Sequence, residues 1–226
     1  MGQRRAARVL RTGVDALIAA TLAPACAACH APLDAPSRGC ICAVCLGSIL
    51  PATLAPWTSA HVSIGLAAGR YDGALRDVIH AFKYEGRRSL ADPLASLMRE
   101  AGQSVLEGCD GVVPVPLHPW RRLRRGFNQA RDLAARLDCP VVDALWRTRV
   151  TPAQMSLDAT SRRTNLRNAF SLSWVYGARR SGPRIEGARI VLVDDVRTTG
   201  ATLDECAKVL RRAGASDVRA LTIAAA

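Results

Sequence analysis

The sequence predicts an α/β protein, a mostly parallel sheet flanked by helices, preceded by a small cysteine-rich N-terminal unit. From residue 62 onward, short apolar runs alternate with amphipathic stretches, the order typical of strands joined by crossover helices. One run, RIVLVDDV at 189–196, is apolar on both faces and therefore belongs in the middle of a parallel sheet. Two CxxC pairs lie upstream of these runs and define the small unit.

The elements follow from apolar periodicity and from turn residues. Strands are predicted at 62–71, 111–117, 189–196 and 218–225, and helices at 74–86, 89–102, 128–137 and 203–214. In the helical stretches apolar residues recur every three or four positions, and glycine ends several of them. Pro51, Pro56 and the short stretch between them predict a linker. We therefore divide the chain into an N-terminal unit, 1–56, and an α/β domain, 57–226.

The cysteines are concentrated near the N terminus. The motifs CAAC at 26–29 and CAVC at 42–45 enclose a loop rich in proline and small residues. This spacing is typical of a four-thiolate zinc site in a zinc-ribbon-like unit, with Cys26, Cys29, Cys42 and Cys45 as ligands. Cys40 is one thiol too many and could replace Cys42. Disulfides and a redox-active CxxC are the alternatives.

Composition and charge bound the remaining possibilities. The chain has 226 residues, of which 49% are hydrophobic; this is ample for a core and argues against global disorder. Its net charge of +12 favours a polyanionic partner such as a nucleic acid or a phosphate compound. Only Lys83 and Lys208 are lysines, however, so a general preference for arginine offers a second explanation.

The N-terminal 26 residues resemble a targeting signal, with arginines before an apolar run. The run from Ala16 to Ala28 is too short to span a bilayer, and it contains Pro24. Leu10, Val14 and Leu17 fall at helical spacing. We therefore expect an amphipathic helix that docks on its own protein, no membrane partner and a cytoplasmic location, with a cleaved signal as the alternative.

The stretch IVLVDDVRTTGAT at 190–202 ends a buried strand on two adjacent carboxylates, Asp194 and Asp195. Ligands of open α/β sheets bind at the carboxyl ends of strands. The loop that follows, with Thr198, Thr199 and Gly200, leads into a helix whose N-terminal N–H groups suit a phosphate. The two acids can accept hydrogen bonds from a sugar diol or lie near its magnesium. The pattern therefore predicts a site for a phosphorylated sugar.

This stretch resembles the signature of the type I phosphoribosyltransferases, and nearly the whole chain resembles the ComF family of competence proteins. The matching segments are the double CxxC, 71–86, 112–129, Gln154, 162–165, 169–170 and 194–202. The resemblance implies a type I phosphoribosyltransferase-like fold that binds phosphoribosyl pyrophosphate with Mg²⁺, beside a structural zinc. It implies that Asp194 and Asp195 are the catalytic residues. It also implies a set of ligands for the sugar pyrophosphate, namely Asp194, Asp195, Thr198, Thr199, Gly200, Ala201 and Thr202.

By the same resemblance, the turn after 111–117 would bind pyrophosphate, and segment 147–170 would be a hood that closes over the ligand. The candidate residues for these two roles are Lys83, Arg121, Arg125, Asn128, Gln129, Arg162 and Asn165. A solvated basic helix face and a plain surface loop are the simpler interpretations of the arginines and of the hood.

Two functions from different classes remain open. The first is an active phosphoribosyltransferase with an unidentified acceptor, linked to DNA uptake. The second is a non-catalytic protein of the competence machinery that reuses the pocket and its arginines to handle single-stranded DNA or to bind a DNA-processing helicase. An oligomer is compatible with both.

Overall fold

The computed structural model describes residues 12–18, 20–49, 55–117, 123, 126–148, 168–178 and 184–226. The strands are β1 (Gly65–Arg70), β2 (Gly111–Pro114), β3 (Leu145–Arg147), β4 (Phe170–Leu172), β5 (Arg189–Arg197) and β6 (Asp217–Ala225). The numbered helices are α1 (Ala43–Ser48), α2 (Gly73–Tyr84), α3 (Ala91–Ala101), α4 (Gln103–Leu106), α5 (Gln129–Ala134), α6 (Trp174–Ala178) and α7 (Ala201–Arg212). Short 3₁₀ helices cover Pro36–Arg38 and Arg88–Leu90.

Four parallel strands form the main sheet in the order β1–β6–β5–β2. Successive residues of β5 point to opposite faces of this sheet. Val191 and Val193 pack with α2 and α3 on one face, whereas Ile190 and Leu192 pack with α7 on the other. The predicted fold class, with its central buried strand at 189–196, is therefore confirmed.

The predicted elements differ from the observed ones mainly at their ends. β1 begins at Gly65 rather than at 62, and β2 ends at Pro114. Helix α7 begins at Ala201, two residues earlier than predicted, because Gly200 adopts a left-handed conformation that starts the helix directly after the loop. The antiparallel ribbon of β3 and β4 was not predicted, since strands of three residues are too short to show a period.

The cysteine-rich unit packs directly on α2 and on the turn that follows it. Buried residues of the unit, including Leu33 and Ile49, belong to the same apolar cluster as Phe82 and Leu90. Arg87 Nη1 donates to the carbonyl of Ala25 at 3.5 Å. The unit and the α/β domain therefore share one core, and the unit supports the C-terminal end of α2.

The N-terminal segment is helical at residues 12–18 and 20–22, but it does not dock as predicted. Of the expected docking face, Val14 and Leu17 are 43% and 67% exposed, and Leu10 lies outside the described residues. Asp15 is buried instead, and its Oδ1 accepts a hydrogen bond from the Ser37 N–H at 2.8 Å. The predicted docking face was therefore wrong, because a polar contact fixes the helix. None of the helices in the described residues has the length and apolar character needed to cross a membrane.

Candidate functional site

The acid pair lies where β5 reaches the carboxyl edge of the sheet. Lys83, near the end of α2, reaches this edge, and its Nζ lies 2.8 Å from Asp195 Oδ1. The side chains of Lys83 and Asp195 are only 13% and 15% exposed. Lys83 is far from the acid pair in sequence, yet its ammonium group partly neutralises the two neighbouring carboxylates. Two adjacent carboxylates at the end of a strand need such a cation, because their charges repel each other.

Asp194 is held in an environment that disfavours its charge. Burial is the largest cause, and repulsion by Asp195 adds to it; together they raise the pKa of Asp194 to about 7. The Asp195 N–H, which donates to Asp194 Oδ1 at 2.8 Å, lowers this pKa, as do the charges of Lys83 and Arg147. Near neutral pH the carboxyl group is therefore close to its titration midpoint, which is typical of functional sites.

Arg147 was not among the residues predicted for this site. It ends β3, and the β3–β4 ribbon packs against α7, which places the guanidinium close enough to Asp194 to favour its ionised form. It is the first residue of the predicted hood, 147–170, but the sequence did not single it out, because its position depends on the unpredicted ribbon. It adds a second positive charge near the acids, after that of Lys83.

The loop after β5 has the geometry of an anion-binding turn. Gly200 has φ 77°, a conformation that favours glycine, and it is the N-cap of α7. Thr198 and Thr199 precede it, while Ala201 and Thr202 form the first turn of the helix. The N–H groups of a first helical turn have no partners within the helix, and the helix dipole favours negative charge there. The predicted phosphate loop therefore has a suitable backbone.

The remaining predicted residues divide into two groups. Asn128 caps α5 by accepting from the Ala130 N–H at 3.1 Å, and its Nδ2 donates to the Val115 carbonyl at 3.2 Å. Its amide thus stabilises the turn between β2 and α5, and Gln129 beside it is buried. Arg121, Arg125, Arg162 and Asn165 lie outside the described residues.

A groove of about 940 Å³ runs along the β2 edge of the sheet. Aromatic side chains from separate segments line it, namely Phe127, Trp146, Trp174 and Tyr176. Trp174 is 81% exposed. The groove was not predicted from the sequence because its aromatic groups come from three separate parts of the fold: the turn before α5, β3 and α6. Such a surface can stack on planar rings.

The cysteine cluster has the geometry of a metal site. Sγ atoms of Cys26, Cys29, Cys42 and Cys45 all lie within 4.8 Å of one another. The Sγ atoms of Cys29 and Cys42 are 3.8 Å apart, and four sulfurs about 2.3 Å from one zinc ion would be separated by about 3.8 Å. Cys40 Sγ lies instead 3.6 Å from Ser89 Oγ. The cluster thus could hold a metal ion such as zinc, with Cys42 rather than Cys40 as the fourth ligand.

Backbone hydrogen bonds stabilise the thiolate form of Cys26 in this cluster. Burial opposes ionisation of Cys26, but the N–H groups of Cys42, Cys29 and Ala28 outweigh it and lower the pKa of Cys26 to about 6. Burial, hydrogen bonds within the cluster and repulsion from Cys26 raise the pKa of Cys45 to about 12. A dication would remove this repulsion and allow all four thiolates to form.

Comparison with known proteins agrees with this fold. The family described as "Phosphoribosyl transferase domain" matches residues 123–226. Competence protein F of Haemophilus influenzae is 36% identical over 168 residues, which cover 70% of this chain and 71% of the relative. The DNA utilization protein YhgH of Escherichia coli K12 is 32% identical over 225 residues, covering 86% and 93%. Competence protein ComFC of Streptococcus pneumoniae is 31% identical over 153 residues, covering 68% and 64%.

The fold and these relatives define a protein with a phosphoribosyltransferase fold and a cysteine-rich N-terminal unit. The chain belongs to the ComF family.

Proposed function

We propose that the protein binds phosphoribosyl pyrophosphate with Mg²⁺ at the end of β5 and transfers the phosphoribosyl group to an acceptor still to be identified. The observation that carries this proposal is the convergence of Asp194, Asp195 and Lys83 beside the loop at 198–202. Acids that can accept hydrogen bonds from a ribose diol lie there next to backbone donors suited to a phosphate. A helix cap alone would need neither the acid pair nor the lysine.

Each group of residues would contact a different part of the ligand. In phosphoribosyl transfer the bond from the anomeric carbon to pyrophosphate breaks, and negative charge builds on the departing group. Bound Mg²⁺ would neutralise that charge through the pyrophosphate oxygens. Asp194 and Asp195 would hold the ribose hydroxyls, while the loop from Thr198 to Thr202 holds the 5-phosphate. Arg121 and Arg125 remain candidates for the pyrophosphate, because guanidinium groups fit phosphate oxygens.

The biological setting is proposed from the relatives. Similar proteins are named for competence and for DNA utilization. We therefore propose that this protein acts in the cytoplasm during the uptake or later use of DNA. The structural zinc would fold the N-terminal unit, which is too small for a core of its own.

Replacing Lys83 tests whether the acid pair needs its cation. Lys83→Met should weaken Mg²⁺-dependent binding of phosphoribosyl pyrophosphate by about tenfold or more, because Asp195 loses a nearly buried charge partner. Isothermal titration calorimetry measures this change. Lys208→Met is the matched control, since Lys208 pairs with Glu205 on α7 at 3.3 Å and not with Asp194 or Asp195. Equal affinities of the two variants would show that Lys83 does not contribute to the site.

Transfer itself is tested by release of pyrophosphate. The protein, Mg²⁺ and phosphoribosyl pyrophosphate are incubated with purine and pyrimidine bases, amines and short DNA as acceptors. We expect acceptor-dependent release of pyrophosphate that disappears in the variant carrying Asp194→Asn and Asp195→Asn. If the protein binds phosphoribosyl pyrophosphate but releases no pyrophosphate with any acceptor, it binds the ligand without transferring the phosphoribosyl group. That result would contradict the proposed transfer.

The exposed aromatic groove favours a second function, non-catalytic handling of single-stranded DNA or binding of a helicase partner. Single-strand grooves combine stacking aromatics with basic residues, and Trp146 and Trp174 supply such aromatics.

Variants of these two regions separate the functions. Arg121→Gln with Arg125→Gln should impair binding of phosphoribosyl pyrophosphate and change DNA binding little. Trp146→Ala with Trp174→Ala should do the reverse. If the arginines instead contact DNA, their loss should flatten the salt dependence of single-strand binding by roughly 0.7 per lost phosphate contact. Fluorescence anisotropy of labelled oligonucleotides at several salt concentrations distinguishes these outcomes.

A further inference from the structure

Arg197 occupies an unusual position at the end of β5, directly before the phosphate loop. Its guanidinium carbon lies over the ring of Trp57, 5.2 Å from the ring centroid. The same indole lies 3.5 Å from the point that a Cβ on Gly200 would occupy. Trp57 therefore contacts both the arginine and the loop, although it is more than 100 residues away in sequence.

The charge of Arg197 is not balanced by a carboxylate within the described part of the chain. No ion pair joins it to any described residue, and its buried Nε has no hydrogen-bond partner there. Burial lowers the pKa of this guanidinium. Arg189, at the other end of β5, is by contrast paired with Asp110 at 3.7 Å. A partly desolvated cation without a partner costs free energy, and an anion bound beside it would offset that cost.

Trp57 is held in place by the segment 57–61, which we call the strap. Trp57 and Gly65 exchange two backbone hydrogen bonds, of 3.0 and 2.8 Å. A Cβ on Gly65 would lie 2.1 Å from the indole, so the ring packs flat on β1. Farther along the strap, Ser59 Oγ and the His61 N–H donate to Asp204 Oδ1 at 2.6 and 3.0 Å. The strap thus fastens Trp57 to β1 and to the first turn of α7.

From this geometry we propose that Arg197 is an additional ligand for the phosphate in the loop, and that Trp57 is the residue that positions it. The proposal rests on the proposed function and deepens it, because it makes the site selective for sugars that carry a phosphate ester. Arg197 supplies a full charge where the loop supplies backbone donors. The indole fixes the guanidinium through its ring face and limits its exposure to water.

Ribose 5-phosphate and inorganic pyrophosphate distinguish the two ends of the ligand. Arg197→Gln should weaken binding of ribose 5-phosphate and of Mg²⁺–phosphoribosyl pyrophosphate by about tenfold or more, as for the loss of a charge-assisted hydrogen bond. Binding of pyrophosphate should change by less than about threefold. The melting temperature of the ligand-free variant should stay equal or rise, because an unpaired charge is removed. Arg189→Gln, on the same strand, should leave all three affinities unchanged.

The positioning role of Trp57 is tested by a conservative replacement. Trp57→Phe keeps a ring under the guanidinium and should retain affinity for ribose 5-phosphate within about threefold, whereas Trp57→Leu should lose about as much as Arg197→Gln. In the variant that combines Trp57→Leu with Arg197→Gln, the loss should not exceed that of Arg197→Gln alone. Additive losses would contradict the positioning role.

These experiments separate failure of this inference from failure of the proposed function. If the wild-type protein binds neither sugar phosphate, the proposed function fails. If it binds both and Arg197→Gln binds them equally well, only the role of Arg197 is overturned.

Discussion

Asp194→Asn should make the ligand-free protein more stable above neutral pH while it removes most of the affinity for phosphoribosyl pyrophosphate. The raised pKa of Asp194, about 7, means that the folded protein holds this proton more tightly than the unfolded chain does. The ionised carboxyl group therefore destabilises the fold. Asparagine keeps an oxygen that can accept from the Asp195 N–H but cannot ionise.

The pH dependence gives this prediction its sign. When a carboxyl group has a raised pKa in the folded state, the protein becomes less stable as the pH rises from the pKa of the unfolded chain, 3.8, to the pKa of the folded state, about 7. Above that pH its stability falls no further. The stability advantage of Asp194→Asn over wild type should therefore grow between pH 5.5 and pH 8, by roughly 1–2 kcal/mol at about 1.4 kcal/mol per pKa unit. Urea unfolding of both proteins at the two pH values measures it.

Asp217→Asn provides the control of opposite sign. Burial works against the Asp217 charge, but hydrogen bonds from Ser63 and Arg219 and the nearby arginines outweigh it and lower its pKa. Its replacement should destabilise the protein at pH 8 and have less effect as pH falls below 4. Equal pH profiles for wild type and Asp194→Asn would show that Asp194 is not held in an unfavourable charged state.

The second large effect is expected from the cysteine cluster. Protein purified without chelator should carry about one zinc ion per chain, and Cys26→Ser should lose the metal and lower the melting temperature. Because the N-terminal unit shares its core with α2, the variant should also weaken binding of phosphoribosyl pyrophosphate through Lys83. Elemental analysis and calorimetry measure the two effects.

Cys40→Ser is the matched control for this prediction. Its Sγ lies near Ser89 Oγ rather than in the cluster, so zinc content and melting temperature should stay close to wild type. Metal-free wild-type protein, or equal metal loss from Cys40→Ser and Cys26→Ser, would contradict the assignment of the four ligands.

The sheet could be predicted from sequence because each main strand carries its own local pattern. RIVLVDDV needs two buried faces, and only a central strand provides them. The CxxC pairs were equally informative, since a fixed ligand spacing reflects a fixed coordination geometry. The β3–β4 ribbon and the docking of the N-terminal helix were not predictable in this way. Three-residue strands have no period, and a buried Asp15 contradicts the rule that apolar residues form the contact face.

The candidate site was predictable only in the part that is contiguous in sequence. The acids and the loop from 198 to 202 form one stretch, so their proximity was fixed by the strand and the turn. Lys83, Arg147 and Trp57 come from α2, β3 and the strap, and tertiary packing alone brings them there. Lys83 was noticed because lysine is rare in this chain, whereas Arg147 and Trp57 had no comparable signal.

Calorimetric titration of the zinc-loaded protein with phosphoribosyl pyrophosphate, with and without Mg²⁺, tests the central claim most directly. We predict one site per chain whose affinity depends on Mg²⁺ and increases from pH 6 to pH 8 as Asp194 ionises. The combined variant Asp194→Asn and Asp195→Asn should bind at least tenfold more weakly, a loss of about 1.4 kcal/mol or more. Absence of binding at millimolar ligand, or equal binding by the variant, would contradict the assignment of this site.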